Sequence, residues 1–262
     1  SSAYRISKES KINGLAFAAC ALSLSGYPEQ AYQKNMESLK LARETGQPLV
    51  EASALFFAGL GAITRRDSNS VKEVADRLNK LARKHGFLFY EACSLSVGAY
   101  ALVEESRFEE GIQQYQKAQA MYKKIGAHME ILDSNTQLAK AYCKAGKNKE
   151  GLEVINHSLE MVQKTNNRID EPELYRLKGE LLLRKEEEAE AEECFMKAIK
   201  VAKNQKTRTW ELRATMSLCR LWQHQDKIIQ AQKKLSEIYN WFTEGFERPD
   251  LKEARAFLEE LS

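Results

Sequence analysis

Small side chains recur at a spacing of 40 residues along this chain of 262 residues. One column of such positions consists of Ala31, Val71, Gly111, Gly151, Ala191 and Ala231. A second column, twelve residues earlier in each copy, consists of Ala19, Gly59, Ala99, Ala139, Gly179 and Cys219. Two small columns in constant register predict a repeat array with closely crossing helices, because larger side chains there would push the backbones apart.

The composition and the positions of proline and glycine favour helices throughout the chain. The chain has only thirteen glycines and four prolines, and residues with high helix propensity are abundant. The prolines stand where apolar periodic segments begin, a position at which the missing N–H costs nothing; they are Pro28, Pro48, Pro172 and Pro249. Glycines recur where three of these segments end, as helix C-caps do, at Gly46, Gly86 and Gly126.

Apolar periodicity divides each copy into two amphipathic helices. The predicted pairs cover 12–24/28–45, 48–65/68–85, 88–105/108–125, 128–145/148–165, 172–185/187–205 and 208–225/228–244. A short amphipathic helix over 249–261 then covers the open end of the last pair, because a terminal repeat has no neighbour on its outer face.

These features predict an all-α fold, a right-handed α-solenoid of about six helix pairs with a 40-residue period and a C-terminal capping helix. Because each pair packs on its neighbours, we expect a single repeat domain over residues 1–262. Its predicted units are 12–46, 47–86, 87–126, 127–166, 167–206 and 207–246, followed by the cap helix at 249–261.

The fifth copy carries a family resemblance. Its spacing of small and apolar residues resembles the tetratricopeptide repeat (TPR) and includes Leu177, Gly179, Leu182, Ala191, Phe195 and Ala198. The TPR period is 34 residues, so the longer period here resembles the TPR variant of the transcription activator family typified by MalT. This resemblance implies TPR-like helix pairs with longer helices.

A second resemblance covers the stretch from Glu173 to Leu261, which includes ELYRLKGELLL and YNWFTEGFERPDLKEARAFLEEL. It resembles the C-terminal arm of large bacterial signalling proteins, which join a class III nucleotide-cyclase or DNA-binding head to a STAND/AAA-type ATPase. The resemblance implies a regulatory or partner-binding arm, with any cyclase or ATPase chemistry on other segments of a longer parent protein. The start at Ser1 without Met agrees with a fragment.

Charge and composition argue against several other classes. The net charge is +3, from 40 basic and 37 acidic residues, whereas a nucleic-acid-binding domain carries a concentrated basic surplus. The longest apolar stretch is shorter than the ~18 residues that a membrane span needs. The five cysteines form no CxxC pair, which fits a reducing compartment. We therefore expect a cytoplasmic protein that binds neither nucleic acid nor membranes.

Motifs of catalysis are missing from the sequence. The four histidines, at 85, 128, 157 and 224, lie far apart, without the spacing of a zinc site. The sequence lacks a glycine-rich phosphate loop and a recognisable nucleophile motif. We expect that this chain is not an enzyme and that it uses no cofactor and no metal.

The TPR resemblance implies that the first helix of each pair lines a groove. Mapping the family's groove positions onto this chain gives four residues in each copy, Asp133 among them. Seven of these are the candidate partner-binding residues: Phe56, Tyr100, Lys140, Arg176, Glu180, Arg213 and Arg220. The predicted groove is aromatic in its early copies and charged in its late ones, as interaction surfaces often are. Two alternatives stay open, since Phe56 could belong to the core and the charged residues could pair with one another.

These observations favour a non-catalytic arm that binds a peptide or a partner domain in its groove. One alternative is a regulatory domain that senses a small ligand, as the MalT resemblance suggests. Another is self-association into a homo-oligomer.

Overall fold

The computed structural model describes residues 2–262, with side chains described for all of these except 2–7, 128 and 129. Thirteen α-helices lie within this range: α1 (Ser2–Leu24), α2 (Pro28–Glu44), α3 (Pro48–Thr64), α4 (Ser68–His85), α5 (Leu88–Glu104), α6 (Phe108–Ile125), α7 (His128–Lys144), α8 (Asn148–Thr165), α9 (Glu171–Leu183), α10 (Glu188–Gln205), α11 (Arg208–His224), α12 (Ile228–Tyr239) and α13 (Pro249–Glu260). Over residues 2–262 there is no β-strand.

The predicted all-α fold of the solenoid class, with six helix pairs and a C-terminal capping helix, is confirmed. Most helix bounds agree with the prediction to within a few residues. Two ends differ, because α1 begins at Ser2 rather than at residue 12 and α12 ends at Tyr239 rather than at residue 244. Beyond the end of α12, Phe242 lies in the same buried cluster as Leu251 of α13.

The helix starts follow the sequence signals. Each of the four prolines occupies the first turn of a helix, in α2, α3, α9 and α13. At the start of α4 the carboxylate of Asp67 accepts a hydrogen bond from the backbone N–H of Ser70, at 3.1 Å. Such an N-cap satisfies a donor that the helix itself cannot.

The turns between helices share one backbone geometry. A residue in the left-handed region recurs every twenty positions, at Gly26, Gly46, Arg66, Gly86, Ser106, Gly126, Gly146, Asn166, Glu186, Lys206 and Asp226. Glycine was predicted at the helix ends, and Gly86 and Gly126 are the C-caps of α4 and α6. At six turns another residue adopts this geometry, so the turn is set by the packing of the helix pair as well as by glycine.

Contacts divide the described chain into two compact units. The first comprises the described residues up to Ser23 together with Tyr27–Ser134, and the second comprises Leu24–Gly26 and Asn135–Ser262. The expectation of a single domain over residues 1–262 stays a prediction.

In the first unit, the small columns bring helices together. Gly59 of α3 faces Val97 of α5, and a Cβ added at Gly59 would lie 3.0 Å from a Val97 methyl carbon. The core beside this crossing contains Leu55, Leu78 and Tyr122, all nearly inaccessible to solvent. The predicted reason for small residues in this column, close helix crossing, is confirmed at this position.

In the second unit, Gly179 of α9 is the small residue at a close helix crossing. A Cβ added there would come within 2.5 Å of the ring of Phe195, a fully buried residue of α10. Helix α13 closes the last pair with Leu251 and Phe257, which pack in one cluster with residues of α11 and α12.

Candidate interaction surfaces

Six aromatic side chains of the first unit form a continuous row of ring contacts. The rings of Phe17 and Phe57 are 5.0 Å apart, those of Phe57 and Phe56 5.5 Å, and those of Phe56 and Phe89 6.3 Å. Phe89 also contacts Tyr90 and Tyr122, with centroids 5.0 and 6.2 Å away. We call these six residues the aromatic row. The contacts Phe17–Phe57, Phe56–Phe89 and Phe89–Tyr90 are edge-to-face, a favoured arrangement of aromatic rings, and the other two are tilted.

The aromatic row reaches from solvent to the core. Phe17 is 62% exposed, the middle members are partly buried, and Tyr122 is 1% exposed. Phe56 is partly buried and packs against the core cluster, and its ring also contacts Phe57 and Phe89. It therefore belongs both to the edge of the core and to the aromatic row.

Tyr100, the other aromatic residue predicted for the groove, is 2% exposed and packs in a cluster with Ala62, Val71 and Val97. Its contact with a partner stays a prediction.

Two carboxylates of α7, Glu130 and Asp133, act electrostatically on Tyr122, the buried member of the aromatic row. We call them the acidic pair. Both are partly buried. Burial raises the pKa of Asp133 to about 6, and the negative charge of Glu130 adds to the rise. Among the described side chains, neither carboxylate has a hydrogen bond or a basic partner.

Groups that are neutral at pH 7 surround the acidic pair. The Cys93 thiol and the Tyr122 hydroxyl are hydrogen-bonded to each other, and Tyr90 is hydrogen-bonded to Ser53. Burial, followed by the charge of Asp133, raises the pKa of the Cys20 thiol to about 11. Helices α1, α5 and α6 therefore supply thiols and hydroxyls whose pKa values respond to the two carboxylates of α7.

The second unit has a contrasting charged surface. Arg176 donates two hydrogen bonds to Glu173, at 2.7 and 2.8 Å, and a third to Glu180 at 3.3 Å. Ser217 of α11 donates to the same Glu180 at 2.6 Å. Burial raises the pKa of Glu173, but Arg176 and more distant cations, one of them Lys140, outweigh it, so the pKa is lowered overall.

Arg213 and Arg220, on α11, are directed to α13. Arg213 donates two hydrogen bonds to Asp250, at 2.9 and 2.7 Å, and its guanidinium lies 4.9 Å from the ring centre of Trp210. The exposed Arg220 lies 5.7 Å from the ring centre of Phe257. These contacts link the last repeat to its capping helix.

The structure therefore brings Arg176 and Glu180 together within α9, whereas the alternative from the sequence was pairing across adjacent helices, and it gives Arg213 a partner, Asp250, on α13. The seven candidates chosen from the sequence include neither Phe17 nor the acidic pair. Phe17 and Phe57 occupy matching positions of successive copies, 40 residues apart, and Asp133 occupies a groove position of the fourth copy, so the repeat carried a signal for these three residues. Glu130 carried no comparable signal.

In the part of the chain that the structure describes, no three side chains of metal-binding type are grouped so that they could hold an ion. Among the same residues, every helix is too short or too polar to span a bilayer.

Comparisons with known proteins agree with the helical repeat. Residues 130–204 match the family model of the tetratricopeptide repeat. The crystal structure of the apo form of RapI is similar with a TM-score of 0.66 and 12% identity, over 97% of this chain and 85% of that one. Aspartyl phosphate phosphatase F from Bacillus subtilis is similar with a TM-score of 0.58 and 10% identity, over 98% of this chain and 71% of that one. No curated protein matches the sequence.

At such low identities the structural likeness shows the fold alone. The chain thus matches the tetratricopeptide repeat over residues 130–204, and its overall helical fold is similar to that of RapI.

Proposed function

We propose that this chain is a non-catalytic protein-interaction domain that binds a peptide or a partner domain. The observation that carries the proposal is the aromatic row, whose outermost ring, Phe17, is 62% exposed while the ring edge contacts Phe57. Large apolar side chains at a fixed position and partly open to solvent are the usual anchors of protein interfaces.

The charged surface of the second unit also supports the proposal, because some of its side chains are exposed and could contact the edge of a bound partner. Glu180 keeps 32% of its side chain exposed, and Arg220 is exposed on α11. Both are held by neighbours, Glu180 by Arg176 and Ser217 and Arg220 by Phe257, so a partner would meet them already oriented.

The parent protein proposed here is a larger bacterial signalling protein of the cytoplasm, in which this chain is the regulatory or partner-binding arm. The support is the sequence resemblance over Glu173 to Leu261 to the arms of cyclase- and ATPase-containing proteins. In such a protein the repeats would bind another protein or a peptide, and the chemistry would belong to other segments.

The test selects binding peptides from a displayed library of random sequences, using the full chain as target. We expect Phe17→Ser to weaken binding of the selected peptides by about ten-fold, because one largely exposed ring supplies roughly that much contact energy. Calorimetric titration measures the dissociation constants. The fold is expected to persist, since a residue so exposed contributes little to the core.

The matched control is Ile229→Ser, which removes a side chain that is 79% exposed on α12. It should bind the peptides as the unchanged chain does. Equal binding by the Phe17→Ser and Ile229→Ser variants would contradict the proposal. If the unchanged chain is a dimer and the Phe17→Ser variant is a monomer, self-association replaces partner binding as the function of this surface.

A further inference from the structure

We infer that the aromatic row of the first unit is the docking site for an uncharged, apolar peptide segment of a protein partner. The inference rests on the proposed function and specifies the chemistry of the segment that binds. It is carried by an open helical surface without charged residues and by the ring contacts that join α1, α3 and α5 along this surface.

Long stretches of α1, α3 and α5 contain no charged residue. Asp, Glu, Lys and Arg are all absent from residues 12–24, 52–64 and 92–103. By contrast, α4 of the same unit carries charges along its length, from Lys72 to Lys84. The matching stretch of the fifth copy, 172–184, contains charges of both signs. The absence of charge is therefore a property of the first helices of the early pairs and not of the repeat.

Burial alone does not explain this absence. The exposed positions of the stretch on α1 are occupied by Asn13, Gly14, Phe17 and Ala21, and Phe57 on α3 is partly exposed. Exposed positions of a helix usually carry charged or strongly polar side chains. A surface that is enriched in aromatic rings and depleted of charge is typical of the centre of a protein interface.

The exposed end of the aromatic row is an anchor that is already in place. Phe17 lies edge-to-face against Phe57, with the ring centroids 5.0 Å apart, and 62% of Phe17 stays exposed. An apolar side chain of a partner would pack on a ring whose orientation is set before binding, which lowers the entropic cost of binding. Aromatic and aliphatic side chains fit such a surface best.

Charge complementarity determines the class of segment. The carboxylates next to two of the charge-free stretches are paired with α4, Glu51 with Arg77 at 3.3 Å and Glu91 with Arg83 at 3.4 Å. A charged residue of a partner that was buried on these stretches would lose water without gaining a counter-ion. An uncharged apolar segment has no such cost.

The same surface disfavours other classes of partner. Nucleic acids need cations beside the rings on which bases stack, and helices that lie on membranes use Lys or Arg to contact the lipid headgroups. The stretches 12–24 and 52–64 supply neither residue type. An uncharged segment of a protein is therefore the occupant to which the site commits.

The experiment uses the displayed random library as its probe, selected on the full chain, and places a charge beside Phe17. Gly14 lies one turn before Phe17 on α1, and a Cβ at this exposed position would have no atom within 4 Å. Gly14→Gln is the reference of similar size for Gly14→Glu and Gly14→Lys. We expect both charged variants to bind the selected peptides about three-fold to ten-fold more weakly than Gly14→Gln, because an apolar occupant would desolvate either charge.

The dependence on salt and temperature gives a second readout. The dissociation constant for the unchanged chain should vary by less than about two-fold between about 50 mM and about 500 mM NaCl, because ion pairs that salt screens are not involved. The binding enthalpy should become more negative on warming, as it does when apolar surface is buried.

Opposite effects of Gly14→Glu and Gly14→Lys would reveal a charged occupant and overturn the inference, and so would charged variants that bind as Gly14→Gln does. Sedimentation of the chain with phosphatidylcholine vesicles, abolished by Phe17→Ser, would overturn it in favour of a lipid surface. If Phe17→Ser still weakens peptide binding, the proposed function survives the first two results. Selection of no peptide, or equal binding by the Phe17→Ser and Ile229→Ser variants, would contradict the proposed function itself.

Discussion

The guanidinium of Arg176 donates two hydrogen bonds to the carboxylate of Glu173, one turn away on α9, at 2.7 and 2.8 Å. The side chains are 14% and 4% exposed. A pair so enclosed adds little net stability compared with apolar residues, but removing one partner leaves the other charge buried alone. The second unit thus neutralises the buried carboxylate of Glu173 internally.

Arg176→Met should be strongly destabilising. We expect a loss of about 3 kcal/mol in the free energy of unfolding, because Glu173 would keep its charge without its main partner. The double variant Glu173→Gln with Arg176→Met should recover most of this loss. Urea unfolding measures both, and Arg107→Met, at an exposed pair with Glu110, is the control that should change nothing measurable. Similar losses at both arginines would contradict this account.

Asp133→Asn should stabilise the chain above about pH 6. The pKa of Asp133 is raised in the folded state to about 6, so the folded chain holds its proton more tightly than the unfolded chain. The stability that protonation confers is therefore present below the unfolded pKa of about 4 and is lost as the pH rises through about 6.

The difference between Asp133→Asn and the unchanged chain should thus be on the order of 1 kcal/mol at about pH 7.5 and should shrink towards about pH 4. Thermal unfolding across this range measures it. The titratable groups that face Asp133 are Cys20 of α1, Cys93 of α5, Tyr115 and Tyr122 of α6, and Glu130 of α7. A destabilised variant at every pH would show that Asp133 has a favourable partner.

Lys206→Gly should stabilise the second unit. Lys206 has φ of 59° at the C-cap of α10 and is exposed, so glycine removes backbone strain without removing a packed side chain. We expect a gain of about 0.5–1 kcal/mol in the free energy of unfolding. The matched control, Lys200→Gly inside the same helix, should cost about 1 kcal/mol. A loss at both positions would argue against the left-handed turn.

Gly179→Ala should destabilise the chain because the new methyl group would lie 2.5 Å from the ring of Phe195. Overpacking of this kind costs about 1–3 kcal/mol. Gly14→Ala is the control, since no atom lies within 4 Å of a Cβ at this helical position. It should be neutral or stabilising by up to about 1 kcal/mol. Calorimetric melting temperatures that fall equally would contradict close crossing at Gly179.

Much of the fold could be predicted from the sequence because the repeat supplies the same signals several times. The small columns require close crossings, which Gly59 and Gly179 make, and each proline begins a helix. The left-handed turns at Ser106 and Lys206 could not be predicted in the same way, because their residue types do not favour that geometry.

The candidate sites were only partly predictable, because their partners come from distant repeats. The groove positions of the family predicted Phe56 and Arg176. They did not predict that Phe17 joins the aromatic row or that Asp250 binds Arg213. The surroundings of Asp133 depend on Cys20 and on residues of α5 and α6, which the chain brings together only on folding. Charge pairing across repeats has no local sequence pattern.

Hydrogen exchange of the full chain with and without a selected peptide tests the central claim most directly. The account predicts that slowed exchange is concentrated in α1, α3 and α5, which carry Phe17, Phe57 and Phe89. Slowing confined to α2 and α4, with those three helices unchanged, would contradict it.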